Sequence, residues 1–154
     1  MAQEDIVAIL RGLKGRTTDT VYDLFFTDRR VVAAIVLIPS DFQEMYAKPD
    51  LIDMVFGNLA KQRVKKMRSL NLIDERRLAF ENKTADEILT LHKANLAIDY
   101  ENIVSAKIRK GFMGTHLEFI LRTPTERKIE FSIEEKQIAE TEGVLNKVLL
   151  DKPK

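Results

Sequence analysis

The sequence predicts an α+β fold: seven short antiparallel strands, an internal helical segment at about 44–94, and a closing C-terminal helix. Three observations predict it. From Leu96 to Leu150 four strand-like stretches, separated by Gly or charged turns, are followed by one amphipathic stripe. Residues 21–27 and 30–37 form a second strand pair about a polar step. Between these halves the spacing turns helical and capping signals appear. No internal repeat, low-complexity tract or linker divides the chain, so a single domain over 1–154 is expected.

Taken in order, Asp5 to Leu13 (DIVAILRGL) is rich in aliphatic and β-branched residues, ends in Gly12 and Gly15, and reads as a first strand. Lys14 to Asp19 is its turn. Val21 to Thr27 and Arg30 to Leu37 follow, joined through Thr27, Asp28 and Arg29, with Pro39 and Ser40 as the stop. The near-continuous apolar run Val31 to Ile38 predicts a strand covered on both faces, the outer one by the helical segment. Asp50 is the expected N-cap of that segment. Leu51, Ile52, Val55, Leu59, Met67 and Leu70 recur on one side, with Lys61, Lys65 and Arg68 nearly opposite. Residues 72–83 are ambiguous among helix, strand and loop. Thr84 with Glu87 makes a capping box for a short helix to about Ala94, which Asn95 is expected to end in a left-handed conformation.

Strand periodicity then returns. Leu96–Asp99 is a short strand, Asn102–Lys110 sets Lys107 and Arg109 opposite Ala106 and Ile108, and Gly111 to Gly114 turns the chain. Thr115–Leu121 places Leu117, Phe119 and Leu121 on one face; Arg127–Phe131 does the same with Ile129 and Phe131. Ser132 with Glu135 reads as a second capping box. Ile138, Thr141, Leu145, Val148 and Leu149 are the stripe of the last helix, and Gly143 fits there if the helix approaches something closely.

Composition narrows the function. At 154 residues, 45% hydrophobic and 32% charged, the chain is long enough for one sizeable core. Twenty-five basic against 24 acidic side chains leave a net charge of +1, so no whole-molecule field draws nucleic acid or membrane. Cysteine is absent, which removes disulfides, thiolate metal sites and a Cys nucleophile. The acids of MAQEDIVAIL do not fit a secretory signal, and the longest apolar run, Val31 to Pro39, is short of the roughly 20 residues a spanning helix needs. A soluble, cytoplasmic protein, at most peripheral to a membrane, is expected.

Two segments carry a resemblance. Val21 to Val32 (VYDLFFTDRRVV) resembles the hairpin signature of prokaryotic pleckstrin-homology-like domains, and Ile98 to Ile108 (IDYENIVSAKI) is similar to the step into a later strand of that family. With the closing helix, these matches cover residues 5–38 and 96–150. The resemblance implies a partly open seven-stranded barrel of two sheets corked by the helix. Residues 41–94 depart from the family's compact connection and read as a helical insertion.

Chemical motifs are sparse. His92 and His116 have neither a second His nor a carboxylate at metal-ligand spacing, so no metal or other cofactor is expected. Asp50 with Asp53 and Glu134 with Glu135 sit at helix starts, where acids meet the helix dipole, and no Ser or Thr stands in a nucleophile elbow, so no catalytic residue is assigned. Basic clusters remain. Lys61, Arg63, Lys65, Lys66 and Arg68 crowd one helical stretch without an acid, as a partner- or lipid-binding face or as an ordinary solvated one. Arg11, Lys14 and Arg16 form a weaker cluster where classical members of the superfold hold phosphoinositides, although Asp19 and Asp23 follow. Lys107, Arg109, Lys110, Arg127 and Lys128 form a mixed sheet face with Glu118 and Glu130. Nucleic-acid binding is not expected, because the phenylalanines read as core residues and Trp is absent. The expected function is therefore non-enzymatic binding of a protein partner, of a second copy, or weakly of an anionic membrane surface, through the 50–70 helix and an adjacent sheet edge. The alternative is a small-ligand carrier or small enzyme with Tyr22, Tyr100 or His92 in a cavity between sheet and insertion.

Overall fold

The structure, a computed structural model, describes residues 4–15, 20–38, 70–112, 114–122 and 127–149. Alternating apolar side chains and polar turns build seven strands: β1 (Ile6–Gly15), β2 (Val21–Thr27), β3 (Arg30–Leu37), β4 (Leu96–Asp99), β5 (Ile103–Gly111), β6 (Gly114–Leu121) and β7 (Arg127–Ile133). Helix α1 covers 70–80, α2 is Ala85–Thr90, and α3 is Ile138–Leu149. Among the described residues no helix is long and apolar enough to cross a membrane.

The strands form one antiparallel sheet in the order β4-β3-β2-β1-β7-β6-β5. This corrects the two sheets implied by the resemblance, because Lys14 opposite Ser132 and Gly15 opposite Phe131 join the halves in a single ladder. The sheet is not closed. Its edges, β4 and β5, are nevertheless consecutive in the chain, linked by one 3-10 turn at Tyr100–Asn102, so the sheet must curl until both edges meet there. Tyr100 fastens that corner. Its N–H donates to the Arg29 carbonyl (2.9 Å) and its hydroxyl to the Thr27 carbonyl (2.6 Å), while the Arg122 N–H reaches the Asn102 carbonyl (2.6 Å).

Curling creates an inner face, and α3 packs against it. Leu10, Leu13, Leu24, Phe26, Val31, Ala33 and Ile98 from one half meet Leu117, Phe119, Phe131 and Ile133 from the other, with Leu145 and Val148 of α3 completing the core. The helical stripe is as expected, but Gly143 is exposed and a Cβ there would meet nothing within 4 Å. No close approach explains that glycine.

A second core lies on the opposite face of β2 and β3. Phe25, Val32, Ala34 and Val36 pack under Phe80, Ala85 and Ile88, with Ile73 alongside. The continuous apolar run of β3 is thus covered on both faces, its outer cover coming from α1 and α2. The expected 50–70 helix, with its packing onto β3, lies outside the described residues up to residue 69; Leu70, the last residue of its stripe, is helical and exposed.

Polar contacts lock this cover in place. Between Leu10 and Leu13 the β1–β2 register slips, and Gly12 takes φ +73°, a conformation that L side chains rarely adopt. Gly12 does not end the strand; it forms a bulge within it. Its N–H turns to the Asp23 carboxylate (3.0 Å), which Arg77 of α1 grips with Nε (2.7 Å) and Nη2 (2.9 Å). Arg76 donates to the Val36 carbonyl (2.9 Å). β4 covers β3 only as far as Ala33, and Asn95 serves the next N–H on that edge: its Oδ1 accepts from Ile35 (2.8 Å) and its amide donates to the Ile88 carbonyl (3.0 Å).

Asn95 therefore acts as a bridge, and among the described residues Asn82, at φ 60°, is the non-glycine residue with positive φ. The Thr84–Glu87 capping box is present, but the helix it starts ends at Thr90 rather than near Ala94. The second box forms between Glu134 and Gln137, not Ser132 and Glu135. Burial of Phe131 and Ile133 carries β7 two residues further than the spacing predicts, so Ser132 remains in the ladder.

Candidate interaction surface

The two motif segments meet at the corner where the sheet edges converge. Thr27 is fully buried; its hydroxyl accepts the N–H groups of Arg29 (3.2 Å) and Arg30 (3.0 Å) and donates to Glu4 (2.6 Å). This is why Thr suits the hairpin: one oxygen closes the turn and ties it to the chain ahead of β1. Arg30 grips both Glu4 oxygens (2.9 Å each) and reaches Asp86 on α2. Burial pushes the Glu4 carboxyl up, but the hydrogen bonds from Thr27 and Arg30 and the charges of Arg30 and Arg29 outweigh it and hold the group below its ordinary value. The hydroxyl of Tyr100 completes the corner, its ionisation shifted far to the alkaline side by burial and by the charges of Asp28 and Glu4. Thr27, Arg30, Glu4 and Tyr100 each engage another part of the chain, so the motif is a joint.

The register places the remaining basic residues. On the outer face of the second half, Lys107, Glu118 and Glu130 stand in one row across β5, β6 and β7. Glu118, only 2% exposed, lies 3.3 Å from Arg109 and 3.6 Å from Lys128, and Lys128 also meets Glu130 at 2.7 Å. Carboxylates thus neutralise the middle of this face. The next row runs Arg109, His116, Ser132 and Lys14 across four strands, with Ser132 Oγ 3.3 Å from His116 Nδ1. No local pattern announces that row, since it joins positions more than a hundred residues apart. Of the first-turn cluster, Lys14 belongs to the row and Arg11 lines a different surface; Arg16 lies outside the described residues, as do Lys61, Arg63, Lys65, Lys66 and Arg68.

Two features of β5 stand out. It ends the sheet and, among the described residues, pairs only with β6. Its register slips at Val104, which is 57% exposed, and then runs without interruption from Ser105 to Gly111. The hairpin turn follows, and Phe112 is fully exposed. That corrects the expectation that every phenylalanine serves the core: the turn lifts Phe112 off the alternating pattern.

Ahead of Lys14, β1 runs without a β7 partner, leaving a groove of about 520 Å³ lined by Ile6, Val7, Ala8, Ile9, Arg11 and Glu140. Side chains of α3 and of the 3-10 turn before it bridge part of this opening, Lys147 donating to the Val7 carbonyl (3.1 Å) and Gln137 to the Arg11 carbonyl (2.9 Å). Tyr22, Tyr100 and His92 do not line it. Tyr22 packs edge-on against Phe131 with burial raising its pKa, and His92 Nδ1 accepts the Ala94 N–H (3.0 Å) in the turn after α2. Among the described residues no group of His, Asp and Glu is placed to hold a metal ion. No family model, curated protein or solved structure matches the chain.

Proposed function

We propose that this chain is a non-enzymatic binding module on a pleckstrin-homology-like scaffold with a helical insertion, and that it takes an acidic, extended segment of a protein partner along β5. Supporting the scaffold reading are the strand order, the meeting of the two motif segments at Tyr100 and Thr27, and the closing helix.

The observation that carries the binding reading is the β5 edge. A nine-residue strand ends the sheet with β6 on one side and no strand of the described residues on the other. Such an edge presents backbone donors and acceptors for strand addition. β4, the opposite edge, is only four residues long. The charges on β5 select the partner. Two copies paired antiparallel about Ile108 would set Lys107 against Arg109, and like charges directly opposite are destabilising. An acidic strand meets the same positions favourably, so a foreign segment is preferred over a second copy.

An alternating Glu/Val octapeptide titrated into isotope-labelled protein tests this. Backbone amide shifts and exchange protection should appear over Ser105–Gly111, and a Lys/Val peptide should produce neither. Shifts confined to other strands, or none with the acidic peptide, would overturn the proposal.

A further inference from the structure

The β5–β6 hairpin places an apolar ring beyond a set of cations. Phe112 is 102% exposed at the turn, and the ladder behind it is in register up to the pairing of Gly111 with Gly114. The ring is therefore presented at the hairpin turn, just past the end of β7, whose Ile133 pairs with Thr115. Directly behind it, Arg109 and Lys110 point to opposite faces of β5, so both sides of the hairpin carry a positive charge. The row Arg109, His116, Ser132 and Lys14 extends that level across the sheet to a further cation. No acid occurs in the sequence from Lys107 to Leu117. The nearest acid along the hairpin, Glu118, stands in register with Lys107, further from the tip, and already meets Arg109 and Lys128. Glu134, just past the neighbouring end of β7, pairs with Lys136.

The order matters: apolar apex first, cations next, neutralised carboxylates last. An anionic bilayer has the same order from its interior outward, with acyl chains, then phosphates, then water. We propose that this hairpin is an interfacial anchor for an anionic membrane surface, Phe112 entering the headgroup–acyl boundary while Lys110 and Arg109 meet lipid phosphates. This does not depend on strand addition at β5. The edge faces sideways from the strand, whereas the tip points along it, and both surfaces can be occupied at once.

The test uses the full chain and sedimentation with phosphatidylcholine vesicles, with and without phosphatidylserine, at low salt. The parent should be retained only by the anionic vesicles. Phe112→Ala should weaken retention by about tenfold or more, from the lost burial of the ring, and Lys110→Glu by about fivefold or more. Neither side chain supports the core, so both variants should keep the parent's circular dichroism and melting temperature. Because the chain has no Trp, Phe112→Trp supplies a site-specific probe whose emission should shift to the blue on anionic vesicles. Failure of the parent to sediment with phosphatidylserine vesicles, equal retention by neutral ones, undiminished binding of Phe112→Ala, or an unshifted Trp emission would each overturn the anchor.

Discussion

A single hydroxyl at Thr27 and a single phenol at Tyr100 hold the corner at which the sheet curls. Each is buried and each makes contacts that no apolar residue of similar size could replace, which explains the local sequence VYDLFFTDRRVV and IDYENIVSAKI without calling on a ligand. These residues were legible as a pattern, but their meeting was not, since 73 positions separate the partners of the Tyr100–Thr27 bond. Gly143 is the converse case. It interrupts α3, and its surroundings provide no reason for the interruption, because a Cβ would point into open space and the backbone there has no positive φ. Glycine inside a helix forgoes up to about 1 kcal/mol relative to alanine. Gly143→Ala should therefore stabilise the protein by about 0.5–1 kcal/mol, read as a rise in the urea midpoint at constant slope; an unchanged or lower midpoint would show that the glycine has a structural role.

At the scale of elements, legibility depended on how each element is held. Residues 21–27, 30–37 and 96–99 were placed correctly because polar or Gly/Pro punctuation bounds them and their apolar faces alternate or run through. β1 outran its expected end because the bulge at Gly12 keeps both Leu10 and Leu13 on the inner face, an irregularity that a strict period of two cannot accommodate. α1 fell inside the expected helical segment at about 44–94, but its own span was ambiguous for a different reason. Its attachment to the sheet relies on Arg76 and Arg77 as much as on Ile73 and Phe80, and periodicity counts arginines as solvent-facing. Removing Arg77 would leave Asp23, 1% exposed, with the Gly12 N–H but without its guanidinium. Breaking a buried pair from one side costs about 3–5 kcal/mol; with Arg77 itself 30% exposed, a cost of about 2–3 kcal/mol is expected for Arg77→Ala. The loss should be local first. Amide exchange across 70–80 should accelerate well before that of β6 and β7, whereas uniform acceleration would mean that the cover and the sheet open as one unit.

At the scale of the whole molecule, β2 and β3 serve two cores at once. Leu24, Phe26, Val31 and Ala33 face the closed side under α3; Phe25, Val32, Ala34 and Val36 face the cover of α1 and α2. The sequence shows this duality as the unbroken apolar run of β3, and it shows the closing helix through its stripe. It cannot show that Lys14, Ser132, His116 and Arg109 share a row, or that Phe112 is left in solvent, because sheet order and turn geometry decide those placements. Two cores on one sheet raise the question of whether they act independently. Leu145→Ala empties part of the inner core and Phe80→Ala part of the outer one, and each should cost about 2–4 kcal/mol. The two residues lie on opposite faces and belong to separate clusters with no shared member. Substitutions without common partners add to within about 0.5 kcal/mol, so the double variant should show nearly the sum in urea unfolding. A coupling energy above about 1 kcal/mol would mean instead that the strands shift as rigid bodies and transmit strain between faces, making the helical cover a lever on the curled side of the sheet rather than a separate layer.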